Sequence, residues 1–178
     1  MPRRLLTFVA LAFVARSAVA QRFTVTFPAE RSANPLDGRL LVMISADTAG
    51  EPRLQVSDAV TTAQVFGVDV DGWRPGTPQT VDAKAFGYPI RSLVDLPPGR
   101  YRVQAMINRY QTFRRSDGHT VKLPPDKWEG QQYARKPGNL YSRPVSVTIS
   151  KSSVTPLMLD QEIPPVEDFA KLETKYVK

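Results

Sequence analysis

The chain of 178 residues contains no cysteine and a single histidine, His119. Without thiols there is no disulfide framework, no thiolate nucleophile and no zinc–thiolate or iron–sulfur site. One histidine cannot supply the pair that a zinc protease sets on one helix face. The sequence also lacks the G-x-S-x-G nucleophile elbow and both common glycine-rich phosphate cradles, G-x-x-x-x-G-K-[ST] and G-x-G-x-x-G. No catalytic constellation and no cofactor are therefore expected, and the core must hold by packing alone. Long apolar runs are missing too. The stretch from Leu5 to Ala15 falls far short of the roughly 20 residues that span a bilayer, so no stable membrane span is expected.

What that short stretch does have is context. Arg3 and Arg4 precede it, and small residues at Ala18 and Ala20 follow, which is the layout of a secretory signal peptide cleaved after Ala20. Residues 1–20 are thus expected to be a leader. The mature chain is expected to be exported, and the absence of cysteine fits the bacterial periplasm or medium. Of the 24 basic residues, Arg3, Arg4 and Arg16 would leave with the leader, so 21 remain against 17 acidic ones. This mild excess is spread along the chain and forms no clustered basic face, which argues against nucleic acid as a partner.

Hydrophobic residues at 42% and charged residues at 23% are ordinary for a globular domain. Sixteen prolines are not. They interrupt helices and favour short strands joined by turns. RFTVTFP (22–28) alternates apolar and polar side chains as a half-buried strand does, whereas RLLVMIS (39–45) is continuously apolar and suits a central strand. VFGVDV (65–70) is a further strand, closed by the turn-forming Asp71-Gly72, and LQVSDAV (54–60) is ambiguous. Residues 73–89 read as a loop or as short edge strands. YRVQAMINRYQTF (101–113) is the longest strand expected, followed by a turn at 114–118 and a return strand at 119–123. Residues 124–142 show no period, and a loop of that length is uncommon unless it works in docking or recognition. RPVSVTIS (143–150) closes the set, with VTPLMLD (154–160) as a further strand. The fold class expected is all-β, an antiparallel immunoglobulin- or fibronectin-III-like sandwich of about seven to nine strands spanning 21–160, with a linker-like tail at 161–178.

Three features invite a functional reading. DVDGW (69–73) begins like a calcium loop but lacks the further ligands and the closing Glu, so an Asp-Gly turn is the better reading. His119, with Asp117 nearby, has the makings of a base, yet no nucleophile accompanies it and a hairpin-end histidine explains it better. Aromatic residues outside the periodic strands are the best recognition candidates. Trp73, Trp128, Tyr133 and Tyr141 are expected in loops, and Tyr110 lies at odd separation from Tyr101 and so on the opposite face of its strand. Such side chains stack on sugar rings, or cover a core edge and dock a second domain. The candidate docking or ligand surface is therefore Tyr110, His119, Trp128, Tyr133 and Tyr141.

DLPPGRYRVQAMI (95–107) sets two prolines and Gly99 ahead of Tyr101, Val103, Ala105 and Ile107, which share one face. A tyrosine there is expected to form a tyrosine corner, mostly buried, with its hydroxyl bonded to upstream backbone.

Taken together, FTVTFPAERSANPLDGRLLVMIS, LPPGRYRVQAMINRYQTFRRSDGHTV, WEGQQ, KPGNLYSRPVSVTI and LETKYVK resemble the N-terminal β-rich region of secreted bacterial esterase-like proteins. The resemblance runs from Phe23 to Lys178. It implies that KLETKYVK leads toward a following α/β-hydrolase-like domain, with any esterase machinery beyond Lys178. On that basis the chain is expected to be a non-catalytic accessory domain that scaffolds or docks the hydrolase. The alternative is a module that binds carbohydrate or the cell surface through its loop aromatics.

Overall fold

A computed structural model describes residues 21–126, 132–149 and 153–165 of the protein. The expected leader, Trp128 and residues 166–178 of the expected tail lie outside the described residues. The strands are β1 (Arg22–Thr26), β2 (Leu36–Ser45), β3 (Gln64–Trp73), β4 (Gln79–Val81), β5 (Phe86–Tyr88) and β6 (Gly99–Arg109). They continue with β7 (Gln111–Arg114), β8 (Thr120–Leu123), β9 (Leu140–Tyr141), β10 (Val145–Ile149), β11 (Val154–Met158) and β12 (Gln161–Glu162). Among the described residues the only helical pieces are single 3-10 turns at Pro52–Leu54, Leu93–Asp95 and Tyr133–Arg135. The strands outnumber the seven to nine expected because β4, β5, β9 and β12 are pieces of two or three residues.

The protein is all-β. A smaller sheet runs β11-β1-β4, a larger one runs β12-β9-β6-β2-β3-β5 with β10 also on β6, and β7 and β8 form a hairpin of their own. Pairing is antiparallel with one departure from expectation: β1 and β11 are parallel, from Arg22 beside Val154 to Thr26 beside Met158. After β10 the chain leaves the larger sheet for the smaller, and it enters beside β1 running the same way.

The two sheets pack face to face. Phe23, Val25, Val81 and Leu157 of the smaller sheet meet Leu40, Val42, Ile44, Phe66, Val103, Ala105 and Ile107 of the larger in one buried cluster. The continuous apolar run of β2 is explained by its place between β3 and β6 with both faces covered. Its even-numbered residues face the smaller sheet, while Leu41 and Met43 face outward into a second cluster with Met106 and Ile163. Beyond residue 160 the chain remains attached, with β12 on β9 and Ile163 exchanging backbone bonds with Gly138 and Asn139.

Several local expectations are corrected. Residues 54–60 form no strand; the segment is irregular after the 3-10 turn at Pro52–Leu54. Asp71-Gly72 is not a strand-ending turn. β3 continues through it to Trp73, because the register shifts between Leu36 and Gly38 on β2 and two residues bulge out opposite Asp37. Gly72 takes φ +60 there, and its N–H donates to Asp37 Oδ1 at 2.7 Å. Trp73 therefore belongs to no loop. It is buried, its ring edge-on to Phe27 at 4.8 Å and its Nε1 donating to the Thr77 carbonyl at 2.7 Å. The expected 101–113 strand divides at Tyr110, where the chain leaves the large sheet for the hairpin. Tyr101 is half-buried, not mostly buried, as is Val147 opposite it on β10.

Candidate functional site

The outer face of the larger sheet gathers more of the candidate residues than any other surface. Directly opposed residues on neighbouring strands share a face, so the pairing registers trace rows across it. One row runs Tyr141, Met106, Leu41, Gly67 and Phe86, and the next runs Gln104, Met43, Val65 and Tyr88. Tyr141 and Phe86 thus stand at opposite ends of a row about 19 Å long, four strand spacings.

The middle of this face is covered by two segments, 51–63 and 132–142. Val56, Val65, Tyr133 and Tyr141 pack against the Leu41, Met43, Met106 and Ile163 cluster. Gln104 ties the cover to the sheet. It is fully buried, its Nε2 donates to Glu51 Oε2 at 3.0 Å and to the Ser142 carbonyl at 2.9 Å, and its Oε1 accepts from the Arg53 N–H at 3.1 Å. Arg53 then reaches across, its Nε 2.6 Å from Glu51 and its Nη1 donating to the Ala134 carbonyl. The guanidinium carbon lies 4.4 Å above the Tyr141 ring, a cation–π contact. Burial pushes the Glu51 carboxyl up, but its bonds to Gln104 and Arg53 outweigh that and leave it below the ordinary value. Burial alone pushes the Tyr133 phenol up.

Openings lie on either side of the 132–142 segment. The larger, about 550 Å³, is a groove lined by Leu54, Tyr88 and Tyr133, with Arg53 and Asp58 also on its wall. Tyr88 and Leu54 are about half exposed, and Phe86 next along β5 is 64% exposed. Gly87 between the two aromatics faces inward. A Cβ there would sit 2.5 Å from a Phe66 ring carbon and 2.2 Å from the Ile90 carbonyl oxygen, so Phe66 fills the space a side chain would need. This forces the Phe86–Tyr88 pair onto the outer face.

The smaller opening, about 210 Å³, is a polar cleft lined by Arg109, Tyr110, Gln111, Glu162 and the 136–139 turn. Its floor is hydrogen-bonded to β6: Lys136 and Asn139 are buried, Lys136 Nζ donates to the Arg109 carbonyl at 2.9 Å, and Asn139 Oδ1 accepts from the Arg109 N–H at 3.0 Å. The side chains of Tyr110, Gln111 and Glu162 have no hydrogen-bond partner among the described residues. Burial, then the nearby Asp69, push the Tyr110 phenol up, and Arg39 partly offsets this.

The structure therefore brings Tyr133 and Tyr141 together and sets Tyr110 across the 132–142 segment from the groove. Tyr133 and Tyr141 are held in a 3-10 turn and a two-residue strand, not in open loop. His119 is separate from them, at the tip of the β7–β8 hairpin, with Nδ1 3.2 Å from Asp117 and its side chain 77% exposed. Sequence reading missed Leu54, Phe86 and Tyr88. The signal for the last two was present in F-G-Y, two aromatics at strand spacing around a glycine. Among the described residues no group of acidic or histidine side chains could hold a metal ion, and no helix is long and apolar enough to cross a membrane. The chain matches no family model, and no curated protein or solved structure matches it.

Proposed function

We propose that the protein is an exported, non-catalytic accessory β-sandwich of immunoglobulin or fibronectin-III type that docks a hydrolase-like domain of the same polypeptide against its outer sheet face. The observation that carries this reading is the exposed pair Phe86 and Tyr88, beside Leu54 and the groove edged by Tyr133. Large apolar side chains concentrated on one face mark an interaction surface, whereas scattered ones do not. Export is supported by the layout of residues 1–20, and the hydrolase partner by the resemblance described above. The fold type is supported by the two packed sheets and by the bond from Tyr101 to upstream backbone.

The test has two parts. The reading frame beyond Lys178 is expected to encode a domain with a G-x-S-x-G segment and a later histidine. The double substitution Phe86→Ser, Tyr88→Ser is expected to weaken association of that domain with residues 21–178 by about tenfold or more in titration calorimetry, as loss of interface anchors does. No such domain, or unchanged association, overturns the reading.

A second reading, a carbohydrate- or cell-surface-binding module, is favoured by the polar cleft, where Tyr110, Gln111 and Glu162 present unengaged polar groups beside an aromatic ring. Retention on an insoluble polysaccharide that Tyr110→Ala abolishes is the result expected. No retention on any polysaccharide tried rejects it.

A further inference from the structure

The β7–β8 hairpin is the least supported part of the fold. Among the described residues it pairs only with itself, from Gln111 beside Leu123 to Arg114 beside Thr120, and none of its residues belongs to either buried cluster. All of β7 is exposed, and in β8 only Val121 is half-buried. A lone two-stranded hairpin is marginal in water, so its pose depends on what ties it to the body.

Among the described residues one side chain provides the polar tie. Lys122 Nζ stands 2.8 Å from Asp37 Oδ2 and also contacts Asp71 Oδ1. These carboxylates come from the two sides of the bulge: Asp37 from β2, opposite it, and Asp71 from β3, within it. Asp37 is itself fixed, since Oδ1 accepts from the Gly72 N–H and its carbonyl accepts from the Tyr110 N–H at 2.8 Å, at the root of the hairpin. The bulge thus builds a two-carboxylate socket with Lys122 as its plug. Within the hairpin Arg115 pairs with Asp117, which also faces His119, and none of the three reaches the body.

We propose that the hairpin is a hinged arm, latched to the body by Lys122 in the Asp37–Asp71 socket and free to swing about its roots when the latch opens. Tyr110 and Gln111 at one root and Pro125 beyond the other line the polar cleft, so the arm's position sets the cleft's width. The latch is a pair of exposed ion contacts, weak and salt-sensitive, which suits a part that opens and closes.

Amide hydrogen exchange on the full chain at neutral pH tests this, comparing wild type with Lys122→Met and Lys122→Arg. Amides of residues 111–123 are expected to exchange about two- to tenfold faster in Lys122→Met, the range that two exposed ion pairs supply. Amides of β2, β3 and β6 should not change, and Lys122→Arg, which keeps the charge, should stay near wild type. Unchanged hairpin exchange in Lys122→Met overturns the latch. So does a loss of protection spread equally over the central strands, which would mean a general loss of stability.

Discussion

The Tyr101 hydroxyl donates a hydrogen bond of 2.9 Å to the Pro97 carbonyl, four residues upstream. The ring lies against Gly99, where a Cβ would come 3.2 Å from the Tyr101 Cε2. The turn into β6 is therefore pinned by the side chain of the strand it introduces. Tyr101→Phe removes the donor and leaves the ring, and it should lower unfolding stability by about 1 kcal/mol or less, because water reaches this half-exposed site and replaces part of the bond. Urea denaturation with an unchanged slope checks this. A loss of several kcal/mol would mean that the hydroxyl holds more than Pro97.

Gln104 is the reverse case, a polar side chain with no water to replace it. Gln104→Leu would strand the Arg53 N–H and the Ser142 carbonyl and remove one of Glu51's partners. Leaving a buried group unpaired costs about 1–3 kcal/mol, so a loss in or above that range is expected in thermal or urea unfolding. The Arg53–Tyr141 contact depends on the same anchor, so Tyr141 ring resonances should shift in NMR spectra.

How much of this was legible in the sequence differs from element to element. The two-sided burial of β2 could be read from its unbroken apolar run, and the inner face of β6 from the alternation of Val103, Ala105 and Ile107. The bulge could not, because Asp71-Gly72 has the composition of a turn and only Asp37, far away in the chain, lets β3 continue past it. The expectation of Trp73 in a loop fails for the same reason. Tyr133 and Tyr141 carried no signal of their meeting, since the cluster that holds them is assembled from β2, β6 and Ile163. Phe86 and Tyr88 were readable in principle, but a three-residue strand among prolines looks like loop.

The Lys122 socket predicts a pH dependence with two limbs. The bond from Lys122, then that from Gly72, hold the Asp37 carboxyl below its ordinary 3.8. Its contribution is therefore complete above 3.8 and is lost as the pH falls through the lower value it has in the folded protein. Bonds to Asp37 and then Asp71 raise Lys122 above its ordinary 10.5. That contribution is complete below 10.5 and is lost as the pH rises through the folded value. Hairpin order, followed by NMR relaxation of amides 111–123, should stay flat between these limits and fall outside them. Asp37→Asn should remove the acid limb. A midpoint near neutrality would contradict this assignment.

The aromatic residues fall into two classes that a pair of measurements separates. Trp73 is buried with its ring on Phe27 and its N–H satisfied, so Trp73→Ala should cost about 3–5 kcal/mol, the range for emptying a large core position. Phe86 and Tyr88 stand outside on an edge strand, held there because Phe66 occupies the space beneath Gly87. Replacing either with Ser should change stability by no more than about 0.5 kcal/mol, as surface substitutions do. If Phe86→Ser proved as costly as a core deletion, the ring would be packing and not display, and the outer face would lose its claim as a docking surface. A neutral stability effect joined to lost association is the combination that a recognition role requires and a packing role forbids.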